Sequence, residues 1–115
     1  MTKDCIFCKI KSMEIPSEML YVDDLSFVIR DINPAASTHM LVIPLEHVTA
    51  IDASCQEQMY LISHLIMVAK QMVDQQSDLS DNGWRLVINQ GRYAGQQIPH
   101  LHIHILGGQQ LGSMA

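Results

Sequence analysis

Three histidines occupy alternate positions in the segment His100-Leu101-His102-Ile103-His104. In a β-strand, residues two apart share a face and lie roughly 6–7 Å apart. The spacing therefore predicts a strand with His100, His102 and His104 on one face and Leu101, Ile103 and Ile105 on the other. A helix would not bring residues two apart together. Gly107 and Gly108 end the segment. A neutral imidazole is a nucleophile near pH 7, and a second one can donate a proton or stabilise charge. Three histidines can also hold zinc, but three same-face positions of an extended strand span about 13 Å, too far for bonds of about 2 Å to one ion. A solvated surface face is the third reading, and the spacing alone does not decide among them.

Other residues could do chemistry. His39, in Thr38-His39-Met40-Leu41-Val42-Ile43-Pro44, shares a strand face with Leu41 and Ile43; a hydrogen-bonded core histidine is the plain alternative. Cys5-x-x-Cys8 reads as two free thiols, a redox pair or half of a zinc site, and no thioredoxin-like βαβ pattern surrounds it. Three cysteines, an odd number, give no disulfide framework, and Cys55 reads as a small buried apolar residue. His64 falls off the core stripe of its helix and reads as exposed, without a role.

The elements that must position these side chains follow from the pattern. Cys5–Ile10 makes a short turn or helix, which Pro16 stops. Leu20–Val22 and Ser26–Arg30 read as strands around a turn at Asp23-Asp24, and Thr38–Pro44 as a strand closed by proline. Ser54–Glu57 matches a capping box and opens one long helix with core face Ile62, Leu65, Ile66, Ala69, Met72 and Val73. Residues 77–83 read as a loop, Trp84–Gly91 as a strand and Arg92–Pro99 as a glycine-containing loop into the histidine strand. These elements predict an α+β fold: a mainly antiparallel five-stranded sheet with one long helix and a short N-terminal helix.

The chain has 115 residues, enough for a single domain over 1–115, and a net charge of −5 without a basic cluster. This argues against long nucleic acid held through its phosphates but not against a small anionic ligand, because local donors can hold one phosphate. No apolar run reaches the ~20 residues of a membrane span, and the N-terminus has no signal-peptide pattern. The expectation is a cytoplasmic protein with no membrane partner.

The sequence around the triad goes further. His100–Leu106 resembles the His-x-His-x-His-x-x signature, with apolar x, of the histidine triad family. Cys5–Ile10, Val28–His47, Val87–Gly91 and Gly95–Gly108 resemble that family's segments in its order, and cover most of the chain. The chain is similar to the branch of small nucleotide-binding proteins that act as nucleoside phosphoramidases, which implies a histidine-triad-like fold and a homodimer.

The resemblance also implies roles. His102 would be the nucleophile that attacks the α-phosphorus of a nucleoside 5′-phosphoramidate or related adenylate, its other ring nitrogen donating to a backbone carbonyl of the triad strand. His104 would contact the phosphate, and His39 would face the triad. Asp31 would bind the ribose hydroxyls, with a turn-forming aspartate as the alternative. Ile32 and Phe27 would wall the base, with core packing as the alternative. Asn89 and the loop of Gly95, Gln96 and Gln97 would hold the phosphate, Gly95 letting backbone amides approach. Many family members carry a small hydroxyl residue where this chain has Gln97, which bears on the leaving group and not on the nucleophile. In a subset, CxxC binds structural zinc with two histidines, here Cys5, Cys8, His47 and His100; the chemistry itself would need no metal. The sequence leaves open a dinucleoside polyphosphate hydrolase, a nucleotide-binding interaction module with little catalysis, and a zinc-dependent hydrolase.

Overall fold

The structure is a computed structural model that describes residues 5–114. β-Branched runs pair as strands: β1 (Tyr21–Val22), β2 (Ser26–Arg30), β3 (Thr38–Pro44), β4 (Trp84–Val87) and β5 (Ile103–Gly107) form one sheet in the order β1-β2-β3-β5-β4. Every neighbouring pair is antiparallel, and only β1–β2 and β2–β3 are joined by short hairpin links. The Asp23 carboxylate accepts from the Leu25 and Ser26 amides, 2.8 Å each, and so shapes the β1–β2 turn.

The period-two alternation sorts the sheet into two apolar layers. Val28, Met40, Val42, Ile103 and Ile105 pack under α2 (Gln56–Asp74), while Phe27, Ile29, Leu41 and Ile43 pack with Phe7, Cys8 and Ile10 of α1 (Ile6–Lys11). Leu101 joins the first layer, as its alternation with the histidines requires. The second face, under α1, carries the histidines.

Several details differ from the sequence reading. The triad strand begins at Ile103, so His100 and His102 precede it. The reason lies in the backbone: the Leu101 amide donates to Val48 and the His100 amide to Ile98, drawing this stretch away from the ladder with β3. The helix stripe is rotated. Leu61 and Val68 are buried, Ile62 is partly buried, and Ile66 is 46% exposed. The capping box does not form, because the Ser54 hydroxyl bonds Asp52 and the N-cap is Cys55, whose side chain caps no backbone amide. Cys55 is therefore half-buried at a helix start rather than in the core. Residues 77–82 form a short helix, α3, whose Leu79 is fully buried. His64 is not idle: its Nε2 lies 2.8 Å from Asp23 Oδ2, tying α2 to the β1–β2 turn.

Candidate active site

A cleft of about 600 Å³ opens on the α1 side of the sheet. Cross-strand register supplies its floor. Ile29 stands opposite Leu41, and Leu41 opposite His104, so one row crosses β2, β3 and β5; all three residues line the cleft. His39 and His102 line it too, as do Asp31, Ile32, Asn89, Gly95, Gln96 and Gln97. Phe27 does not. It is 1% exposed in the core layer and pairs with Ile43, which likewise does not line the cleft, as the core-packing alternative has it.

Hydrogen bonds fix the tautomers. His102 Nδ1 lies 2.7 Å from the His100 carbonyl oxygen, which can only accept. Nδ1 therefore carries the proton and Nε2 the lone pair. The Ala35 amide donates to His39 Nδ1 at 3.0 Å, so His39 carries its proton on Nε2. That proton is donated to His104 Nδ1, 2.9 Å away, which leaves His104 protonated on Nε2. Burial pushes the His104 imidazole down to about 4, helped by His102 and His39. Burial also lowers His39, against the pull of Asp31. The rings of His102 and His104 stand 4.9 Å apart.

Asp31 Oδ2 lies 3.4 Å from His39 Nε2, while Oδ1 accepts from the Asn33 amide at 2.8 Å. Asp31 thus shapes a turn and lines the cleft at once. Asp31, His39 and His104 place ligand atoms within 4.8 Å of one another. The His39 atom facing this group bears hydrogen, however, so the trio is a hydrogen-bond chain rather than a cation site.

The loop after β4 is braced internally. Asn89 Nδ2 donates to Ala94 O at 2.8 Å, and Gln96 Oε1 accepts from the Gly91 amide at 2.8 Å. The Gly95 and Gln96 amides bond Arg92 and Gly91. Gly95 is needed for its left-handed conformation, φ 82°. The sequence reading missed the walls given by Phe7, Ile10, Ile15 and Ile98. The apolar spacing of Ile6, Phe7 and Ile10 was the available signal.

His100 takes a separate path. Its Nε2–H donates to Pro44 O at 3.0 Å, and the lone pair on Nδ1 faces Cys5 Sγ at 3.3 Å and Cys8 Sγ at 3.6 Å. His47 Nδ1 lies 3.2 Å from Cys8 Sγ. The four ligand atoms fall within 4.8 Å of one another. Tetrahedral zinc with ordinary Zn–S and Zn–N bonds separates sulfur from nitrogen by about 3.5 Å. The cluster fits that geometry, and the bond to Pro44 is the kind of outer contact that orients a ligating histidine.

Fold and site define a class: a small antiparallel α+β protein with an oriented histidine in an apolar-walled cleft beside a Cys₂His₂ cluster. The HIT domain profile matches residues 12–111. The chain is 39% identical over 114 residues to the purine nucleoside phosphoramidase of Escherichia coli K12, covering 99% of this chain and 95% of that protein. It is 40% identical over 111 residues to an uncharacterised HIT-like protein of Synechococcus elongatus, covering 96% of each. Among solved structures, a histidine triad protein from Clostridium difficile superposes with a TM-score of 0.88 at 37% identity, covering 97% of this chain and 96% of that one. A HIT family hydrolase from Legionella pneumophila gives 0.87 at 37% identity, covering 94% and 96%. The chain belongs to the HIT family. Cys5 and Cys8 precede the matched residues, so the cluster they make is an observation about this chain.

Proposed function

We propose that this protein is a nucleotide-binding hydrolase that cleaves purine nucleoside 5′-phosphoramidates or related adenylates through a nucleotidyl-histidine intermediate on His102. The observation that carries the reading is the His102 tautomer: Nδ1–H is committed to the His100 carbonyl, so Nε2 is the nucleophilic atom in a cleft. The phosphoramidase relative supports the substrate class.

The Nε2 lone pair attacks the α-phosphorus. The P–N bond breaks, its electrons go to the amine, and the amine leaves with a proton from water. The nucleotidyl-imidazolium is positively charged, which makes it a good leaving group for the second step. Water attacks phosphorus, the bond to His102 breaks and restores the neutral ring, and the water's proton returns to solvent. Net, one water yields a nucleoside monophosphate and an amine. His104, with hydrogen on Nε2, donates to a phosphate oxygen or the leaving nitrogen, and His39 holds it in that tautomer. Asp31 accepts from ribose hydroxyls, Ile32 flanks the base, and Asn89, Gln96 and Gln97 border the phosphate.

Cys5, Cys8, His47 and His100 would hold zinc as a structural ion, with no chemical step passing through it. In this reading the protein is cytoplasmic and a homodimer. Among the described residues no helix is long and apolar enough to cross a membrane. Tyr60, Ile66 and Met67 of α2 and Trp84 of β4 are exposed apolar residues that a second copy would cover.

Turnover of adenosine 5′-phosphoramidate with a chelator present tests the reading. Amine release with a phosphorus–histidine adduct supports it. Turnover of dinucleoside polyphosphates alone would replace the substrate class, and nucleotide binding without turnover would leave a binding module.

A further inference from the structure

Phe7 lies between the two cysteines in sequence and between two histidines in space. Its ring meets His100 edge-on at 5.6 Å and 88°, and meets His102 at 5.0 Å and 70°. It is 2% exposed and lines the cleft. His100 is equally divided: Nδ1 faces the thiols, Nε2 donates to Pro44, and the carbonyl receives His102 Nδ1–H. The Cys₂His₂ cluster and the oriented imidazole are thus joined twice, through the His100 main chain and through the Phe7 ring.

From this geometry we propose that the Cys5–Cys8–His47–His100 centre, when it holds a divalent metal, positions the His102 imidazole through Phe7 and His100. Phe7 is then a positioning residue for the reaction. The proposal rests on His102 being the nucleophile.

Physical reasons make α1 the weak link. It has six residues and no side-chain bond capping its N-terminus, and a helix that short does not hold itself in water. Its place on the sheet depends on Phe7, Cys8 and Ile10 and on the ligand cluster. A metal ties Cys5 and Cys8, on either side of Phe7, to His100, two residues before His102. Without that tie the Phe7 ring loosens against His102, and the cleft wall formed by Ile6, Phe7 and Ile10 loosens with it. Outer contacts of this kind change affinity or activity by about 10- to 100-fold.

The test compares zinc-loaded and chelator-treated wild type with Phe7→Ala, Phe7→Leu and Cys8→Ser. Zinc content and circular dichroism are recorded for each. Three readouts are used: single-turnover formation of the His102 adduct from adenosine 5′-phosphoramidate, affinity for adenosine monophosphate, and solvent exchange of the His102 Nδ1–H by ¹⁵N-edited NMR. Zinc removal is expected to slow adduct formation by about 10-fold or more, weaken nucleotide binding and speed exchange. Phe7→Ala is expected to do the same in part with zinc still bound, and zinc removal should then add less than it does in the wild type, because only the His100 route remains, the non-additivity of coupled residues. Phe7→Leu, which keeps the bulk, should fall between and guards against a misfolded alanine variant. A folded zinc-free wild type with unchanged exchange and affinity overturns the proposal. So do independent, multiplying effects of Phe7→Ala and zinc removal, or a chain that binds no zinc. Absence of any His102 adduct in the loaded wild type overturns the nucleophile reading instead, while exchange and affinity still report the coupling.

Discussion

His39 Nε2 and His104 Nδ1 face each other at 2.9 Å, and the Ala35 amide on the far side of His39 decides which of them holds the hydrogen. A backbone group outside the cleft therefore sets the protonation pattern inside it. His39→Leu removes the donor to His104 and leaves the Ala35 amide without its acceptor. Turnover is expected to fall by about 100-fold and stability by about 1–3 kcal/mol. Steady-state kinetics and urea denaturation measure the two effects, and unchanged kinetics would mean that the His104 tautomer does not matter.

The same burial makes stability depend on pH. The His104 pKa falls from 6.5 unfolded to about 4 folded, so the unfolded chain binds more protons between those values. Stability is fully present above about pH 6.5 and is lost as pH falls from there through about 4. His104→Asn should flatten part of that slope in denaturant titrations at pH 4 to 7. His100 is also lowered to about 4, chiefly by burial, and adds slope of the same sign in metal-free protein.

Metal binding to the folded state should raise the melting temperature. Zinc at 100 times its dissociation constant adds about 2.7 kcal/mol by mass action. Differential scanning calorimetry of stripped protein with and without zinc reads this directly, and Cys5→Ser should abolish most of the increment. Equal melting temperatures would show that the four ligands do not act as a centre.

The fold was largely legible because β-branched runs and period-two alternation mark buried strands without tertiary knowledge. His39, Leu41 and Ile43 did fall on one face. What escaped depended on distant partners. α2 carries apolar residues around most of its surface, and only packing against the sheet selects Leu61 and Val68 over Ile66. The register of β5 stops at Ile103 because Val48, far away in sequence, takes the Leu101 amide. The site histidines could be read from their spacing and family resemblance, but the His100–His102 bond and the place of Phe7 needed three dimensions. Phe27 shows the limit: resemblance left base wall and core packing both open, and its depth in the core needed the packed structure.

α3 was invisible because Ser77–Asn82 is polar apart from Leu79, and its position depends on a close approach to Gly107. A Cβ on Gly107 would meet Leu79 Cδ2, a fully buried side chain. Gly107→Ala is expected to cost about 1–3 kcal/mol through overpacking with only a small change in turnover. Equilibrium unfolding checks it, and a neutral result would show that Leu79 has room to move.

In the proposed reaction His102 Nε2 forms the covalent bond. Rapid quench of the protein with adenosine 5′-phosphoramidate in alkaline denaturant, which preserves a phosphorus–nitrogen bond that acid would hydrolyse, followed by mass spectrometry of the peptide carrying His100, His102 and His104, measures this directly. One adenylyl group is expected on His102, lost in His102→Ala together with turnover reduced on the order of 10⁴-fold or more. Turnover with no adduct in the wild type, or an adduct and turnover that survive in His102→Ala, would contradict it.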